Sequence, residues 1–111
     1  MKRLSTEGIE PEESAPAPDR LLSGSPVFRV WDVDQTESGV YAGIWESTPG
    51  KWAVAYSEWE YCRVLSGVSI VTDEDGGSVR LEAGDSLVLK PGFKGSWEVV
   101  ETTLKEYVIQ I

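Results

Sequence analysis

The run Glu58-Trp-Glu-Tyr-Cys-Arg-Val64 sets two carboxylates and a thiol on alternate residues of a chain that contains no histidine. In an extended strand successive side chains point to opposite faces, so Glu58, Glu60, Cys62 and Val64 share one face and Trp59, Tyr61 and Arg63 the other. A carboxylate can accept or deliver a proton, and a thiolate can attack an electrophile. The thiol lacks its usual support. A reactive cysteine is normally set beside a base, often histidine, or among positive charge, whereas the same-face neighbours here are Glu58 and Glu60, which oppose thiolate formation. Cys62 is therefore read as a small buried hydrophobe. Without histidine there is no imidazole to serve as general base or as metal ligand. A buried carboxylate must then find a partner or give up its charge. Lys105, with Tyr107 two residues on and on the same face of its strand, is the candidate partner for Glu60.

Strands would have to position these groups. From Val27 onward the apolar period is close to two, with turn signals every several residues. Strands are expected over Val27–Val33, Val40–Glu46, Lys51–Ala55, Trp59–Leu65, Val68–Thr72, Ser78–Leu81, Ser86–Leu89, Ser96–Val100 and Leu104–Ile111. Asp73-Glu-Asp-Gly-Gly77 reads as a hairpin connection whose glycines can take positive φ. No window shows helical periodicity, so the chain is all-β, an antiparallel sandwich or a closed barrel in which closure removes exposed sheet edges. Residues 1–25 differ. Glu10 to Asp19 carries four acidic residues and three prolines and cannot sustain a helix or a central strand. This stretch is read as an extended N-terminal arm on a barrel domain of residues 26–111. It is either a frayed tail or a segment that Leu21-Leu22 anchors on the barrel or on a partner subunit.

Composition narrows the function classes. At 111 residues the chain has room for one core. A net charge of −9 argues against nucleic acid and against an anionic membrane surface, both of which call for clustered Lys and Arg. No apolar stretch is long enough to span a bilayer, no apolar leader segment opens the chain, and the single cysteine forms no internal disulfide. The cytoplasm is the compartment expected.

Glu60-Tyr-Cys-Arg-Val-Leu-Ser-Gly67, followed by Ala83-Gly-Asp-Ser-Leu-Val-Leu-Lys-Pro-Gly92, resembles the paired signature of a cupin barrel. The resemblance implies a cupin-type antiparallel β-barrel, or jelly roll. Gly43-Ile-Trp-Glu-Ser-Thr-Pro-Gly-Lys-Trp52, Pro91-Gly-Phe-Lys-Gly-Ser-Trp-Glu-Val99 and Lys105-Glu-Tyr-Val-Ile109 look like the small single-domain cupins related to ureidoglycine aminohydrolase, the DUF861 type. That subfamily is similar to one half of a two-domain manganese enzyme of purine breakdown. In metal-using cupins two histidines precede the motif glutamate; the slots here hold Val54 and Tyr56, or Ala53 and Ala55. The histidine of the second motif falls on Gly95. The resemblance therefore implies the fold without the metal, no cofactor is expected, and the aminohydrolase reaction does not carry over.

If Glu60 keeps the direction of the cupin ligand, its face lines the lumen, with Tyr56, Trp45 and Trp97 as aromatic walls and Lys105 and Tyr107 beside it. Three functions follow. The first is binding of a compact nitrogenous or carboxylated metabolite at Tyr56 and Glu60. The second is a metal-free aminohydrolase, isomerase or dehydratase with Glu60 as acid/base residue. The third is a structural or interaction protein in which Glu60 and Lys105 form an ion pair inside a filled barrel. Lumen volume separates the third from the others. Trp31, Trp52 and Trp59 are candidates for the outside of the barrel, where a second layer or a dimer contact would have to cover them, and a homodimer that shares strands, as many cupins do, is expected.

Overall fold

The period-two segments fold as antiparallel strands in the computed structural model, which describes all 111 residues. In chain order they are β1 (Glu12–Ser14), β2 (Leu21–Gly24), β3 (Phe28–Gln35), β4 (Val40–Ser47), β5 (Gly50–Ala55), β6 (Trp59–Asp73), β7 (Ser78–Leu81), β8 (Ser86–Leu89) and β9 (Lys94–Gln110). There is no helix long and apolar enough to cross a membrane. The hydrogen-bonded order is β1-β3-β4-β9-β5-β2, with β6 pairing β7, β8 and β9 off that path. Two strands organise the sheet. The first half of β9 pairs β5 and its second half pairs β4, while β6 runs beside it from Trp59↔Gln110 to Asp73↔Gly95. The sheet curls around these long strands and encloses a lumen.

The sequence divides β6 at Ser66-Gly67 and β9 near Thr102, yet each runs unbroken. Register shifts between Val64 and Ser66, Ser66 and Val68, and Val68 and Ser69 let β6 bend without giving up its ladder with β9. Gly67 lies inside this bulged stretch at φ 89°. The carbonyl of Thr102 occupies the space a Cβ would need there, so backbone conformation and close approach both require glycine. The Asp73–Gly77 connection is the expected hairpin, held by Asp73 Oδ1, which accepts 2.9 Å bonds from the Asp75 and Gly77 amides.

The core comprises Trp52, Cys62, Val64, Val71, Leu81, Leu89, Trp97, Val99 and Tyr107. Trp52 corrects its placement outside the barrel: it is buried, in edge contact with Phe28 at 4.8 Å between ring centroids. The reason is alternation along β5, which turns Trp52 inward together with Val54. Trp31 and Trp59 remain half-buried and away from the lumen. Beneath Trp97, its indole Nε1 donates to Ser69 Oγ at 3.1 Å, and the Ser69 and Thr103 hydroxyls are 2.7 Å apart. No buried side-chain nitrogen or oxygen lacks a partner.

The acidic, proline-rich arm crosses the barrel rather than trailing from it. Three residues of β1 pair β3, and β2 pairs β5, so the arm occupies both free edges of the main sheet path. Edge positions suit a proline-containing segment because one side of an edge strand needs no ladder bonds.

Candidate ligand-binding lumen

Register explains how the polar residues meet. Trp45 on β4 and Val64 on β6 are both Cα partners of Lys105 on β9, while Trp52 on β5 is the partner of Trp97. Lys105 reaches along β9 to Glu60, placing Nζ 3.0 Å from Oε2, with both residues buried. The ammonium also lies 4.2 Å from the Trp97 ring centroid and 4.6 Å from that of Trp45, so aromatic faces complete its surroundings. The other carboxylate oxygen, Glu60 Oε1, accepts a 2.7 Å bond from the Tyr56 hydroxyl. Tyr56 is fixed in turn by its backbone, which donates to the Phe93 carbonyl at 2.8 Å and accepts from the Gly92 amide at 2.7 Å. The Pro91-Gly92-Phe93 turn therefore sets the tyrosine that contacts Glu60.

Burial, reinforced by the charge and hydrogen bond of Glu60, pushes the Tyr56 phenol far above the usual tyrosine range, which keeps it a donor. Tyr107 lines the lumen on the same face of β9 as Lys105, and its hydroxyl passes over Gly43 to donate to Asp32 Oδ1 at 2.9 Å. Burial and then that bond to Asp32 push its phenol up as well. The Cys62 thiol is raised chiefly by burial, with Lys105 pulling it down and Glu60 pushing it further up. The buried-hydrophobe reading of Cys62 agrees with its place in the core.

The lumen has a volume of about 710 Å³ and is lined by all of the expected residues: Tyr56, Glu60, Trp45, Trp97, Lys105 and Tyr107. Phe28, Tyr41, Trp52 and Arg20 line it too, and the sequence reading missed them as lumen groups, whereas Glu58 lines it as its place on the Glu60 face implies. A signal existed for Trp52, since it shares a strand face with Val54, one of the positions that the cupin resemblance offers as a ligand slot. None existed for Arg20, which belongs to the arm and obeys no strand period.

Donors for a metal ion do not converge here. Glu60 has both oxygens engaged, by a phenol and by an ammonium group whose charge opposes a cation. The histidine slots hold Val54 and Tyr56, and at Gly95 the Thr72 carbonyl stands where a Cβ would go, so no side chain fits there without backbone movement. No three His, Cys, Asp or Glu residues cluster anywhere in the structure. Such a set meets neither the imidazole preference of first-row metals nor the six or more oxygens, roughly, that a hard cation takes.

A family model for the EutQ-like cupin domain matches residues 34–107. The chain belongs to this cupin family. Its curled antiparallel sheet is accordingly a cupin barrel, and solved cupins superpose on it. A DUF861-family protein of unknown function from Pseudomonas syringae pv. tomato aligns with a TM-score of 0.85 at 24% identity, over 96% of this chain and 46% of that one. A predicted oxalate decarboxylase from Thermotoga maritima gives 0.75 at 19% identity over 99% of both chains. The EutQ protein of Clostridium difficile gives 0.69 at 17%, over 77% of this chain and 63% of that one. This cupin thus spans about half the length of the Pseudomonas protein, and likenesses at these identities speak to the fold alone. A search among curated proteins returned no match.

Proposed function

We propose that this cupin binds a small polar metabolite in its lumen without a metal ion. The observation that carries the reading is a cavity of about 710 Å³ in which the only buried charges neutralise each other. Small-ligand sites usually enclose about 300–1,000 Å³ with mostly apolar walls and a few convergent polar groups. Trp45, Trp52, Trp97 and Phe28 supply such walls, and the Tyr56–Glu60–Lys105 array supplies the polar floor. A filled barrel held by a structural ion pair is disfavoured by that same volume.

Native mass spectrometry of freshly purified protein, with metal analysis on the same sample, tests the proposal. A co-purified organic mass without stoichiometric metal is the expected result; stoichiometric manganese, zinc, iron or nickel would overturn it. Once a metabolite is identified, Glu60→Gln should weaken its affinity. Loss of turnover at unchanged affinity would instead make Glu60 an acid/base residue. Association as a homodimer belongs to the same proposal, supported by the exposed Leu22, Val79 and Val88. Light scattering that finds only monomer would remove it.

A further inference from the structure

Four charged side chains line the lumen: Arg20, Glu58, Glu60 and Lys105. Glu60 and Lys105 are closed on each other, with aromatic rings and the Tyr56 hydroxyl around them. Arg20 and Glu58 differ, because neither side chain enters any ion pair or hydrogen bond of the protein. Their main-chain positions are nonetheless set. The Arg20 amide donates to the Ala17 carbonyl at 2.9 Å and its own carbonyl accepts from the Ala53 amide at 2.8 Å, which fixes the residue immediately before β2. Glu58 sits between Tyr56 and the first residue of β6. One exposed cation and one half-buried anion thus face the same cavity without partners.

From this arrangement we infer that the ligand is a zwitterion with a planar apolar body. Its carboxylate pairs with Arg20, its ammonium group pairs with Glu58, and its body lies against the aromatic wall formed by Phe28, Tyr41, Trp45 and Trp52. The inference rests on the reading of the lumen as a ligand site and adds the class of ligand. Charge decides among the alternatives. A simple carboxylate would satisfy Arg20 but bring an anion into a cavity where Glu58 has no counter-charge. A simple amine reverses the problem with Arg20, and an uncharged apolar body leaves both groups unpaired. A guanidinium is suited to a carboxylate because its donors form a planar fork. Lys105 is not available for that task, because Glu60 and two indole faces already hold it.

The experiment uses three probes that share one ring and differ only in charge: L-phenylalanine, 3-phenylpropionate and 2-phenylethylamine. Each is titrated against the full chain at neutral pH and low salt, read by tryptophan fluorescence and calorimetry. Phenylalanine is expected to bind roughly tenfold more tightly than either single-charge probe, the effect of one charge-assisted contact in a partly exposed setting. Arg20→Gln should erase its advantage over phenylethylamine, and Glu58→Gln its advantage over phenylpropionate. Neither residue has a side-chain partner in the protein, so both variants should fold as the parent does, checked by thermal unfolding. Equal or tighter binding of a single-charge probe, or a preference that survives both substitutions, overturns the zwitterion class. If none of the three binds while a co-purified organic mass is present, the zwitterion class fails and the lumen reading stands. If none binds and no organic mass is found, both fail.

Discussion

Glu60 takes a formal charge into a largely aromatic cavity and is held there by Tyr56 and Lys105, so the array must be treated as a unit. Removing one partner of a buried ion pair leaves the other uncompensated and costs about 3–5 kcal/mol, whereas replacing both by apolar groups is often close to neutral. Lys105→Met alone should therefore lower unfolding stability in urea by about that amount, and Glu60→Leu combined with Lys105→Met should recover most of it. A double variant no more stable than the single one would show that the pair does not act as a unit. Tyr56 and Tyr107 give a pH signature. Their folded pKa values lie above the unfolded tyrosine value of about 10, so the folded state holds protons that the unfolded state releases. The stability this contributes is fully present below about pH 10 and declines as pH rises beyond it. The unfolding midpoint should fall through that alkaline range, and fall less steeply in Tyr56→Phe; an unchanged slope would refute the assignment. Glu60 and Lys105 were legible in sequence because strand alternation fixes the face each occupies. Arg20 was not, because its place depends on where the arm lands.

Strand continuity is governed at a few glycines. β6 and β9 each read as two short strands because Ser66-Gly67 and Glu101-Thr102-Thr103 interrupt the apolar pattern, but a bulge consumes extra residues without ending a ladder. Pattern alone does not distinguish a break from a bulge, since both interrupt the alternation. The pairing does, and it gives Gly67 two separate reasons to be glycine: a φ of 89° and contact with the Thr102 carbonyl. Gly76 has only the first, with φ 91° and open space where a Cβ would stand. Gly76→Ala should cost about 1–2 kcal/mol, the penalty of the left-handed region for a residue with a Cβ. Gly67→Ala should cost roughly 1–3 kcal/mol more, the range for forcing atoms into a packed site. Denaturant unfolding of the two variants measures the difference, and equal losses would mean that β6 moves freely at its bulge. The turn at Pro91-Gly92-Phe93 shows the same dependence of site on element, because its backbone holds Tyr56 in reach of Glu60.

At the scale of the whole barrel, two sheet edges are covered by an arm whose composition made a central strand impossible but did not say which edge it would cover. That information lies in the folded sheet, where β3 and β5 end the main path and would expose unpaired backbone groups without β1 and β2. Bare sheet edges template pairing with other chains. The arm also supplies Ser14, Ala15, Pro16, Ala17 and Arg20 to the lumen wall, so edge protection and ligand enclosure are tied to one segment. Deleting residues 1–25 should therefore have two coupled effects. Amide exchange should accelerate along β3 and β5, beginning at Ala53, whose N–H loses the Arg20 carbonyl. Light scattering at matched concentration should also show greater association than in the full chain, despite the self-repulsion of a strongly acidic protein. Greater association without faster exchange would place the new contact away from these edges. Faster exchange at unchanged mass would show that the arm protects the edges while the remaining net charge suffices to keep copies apart.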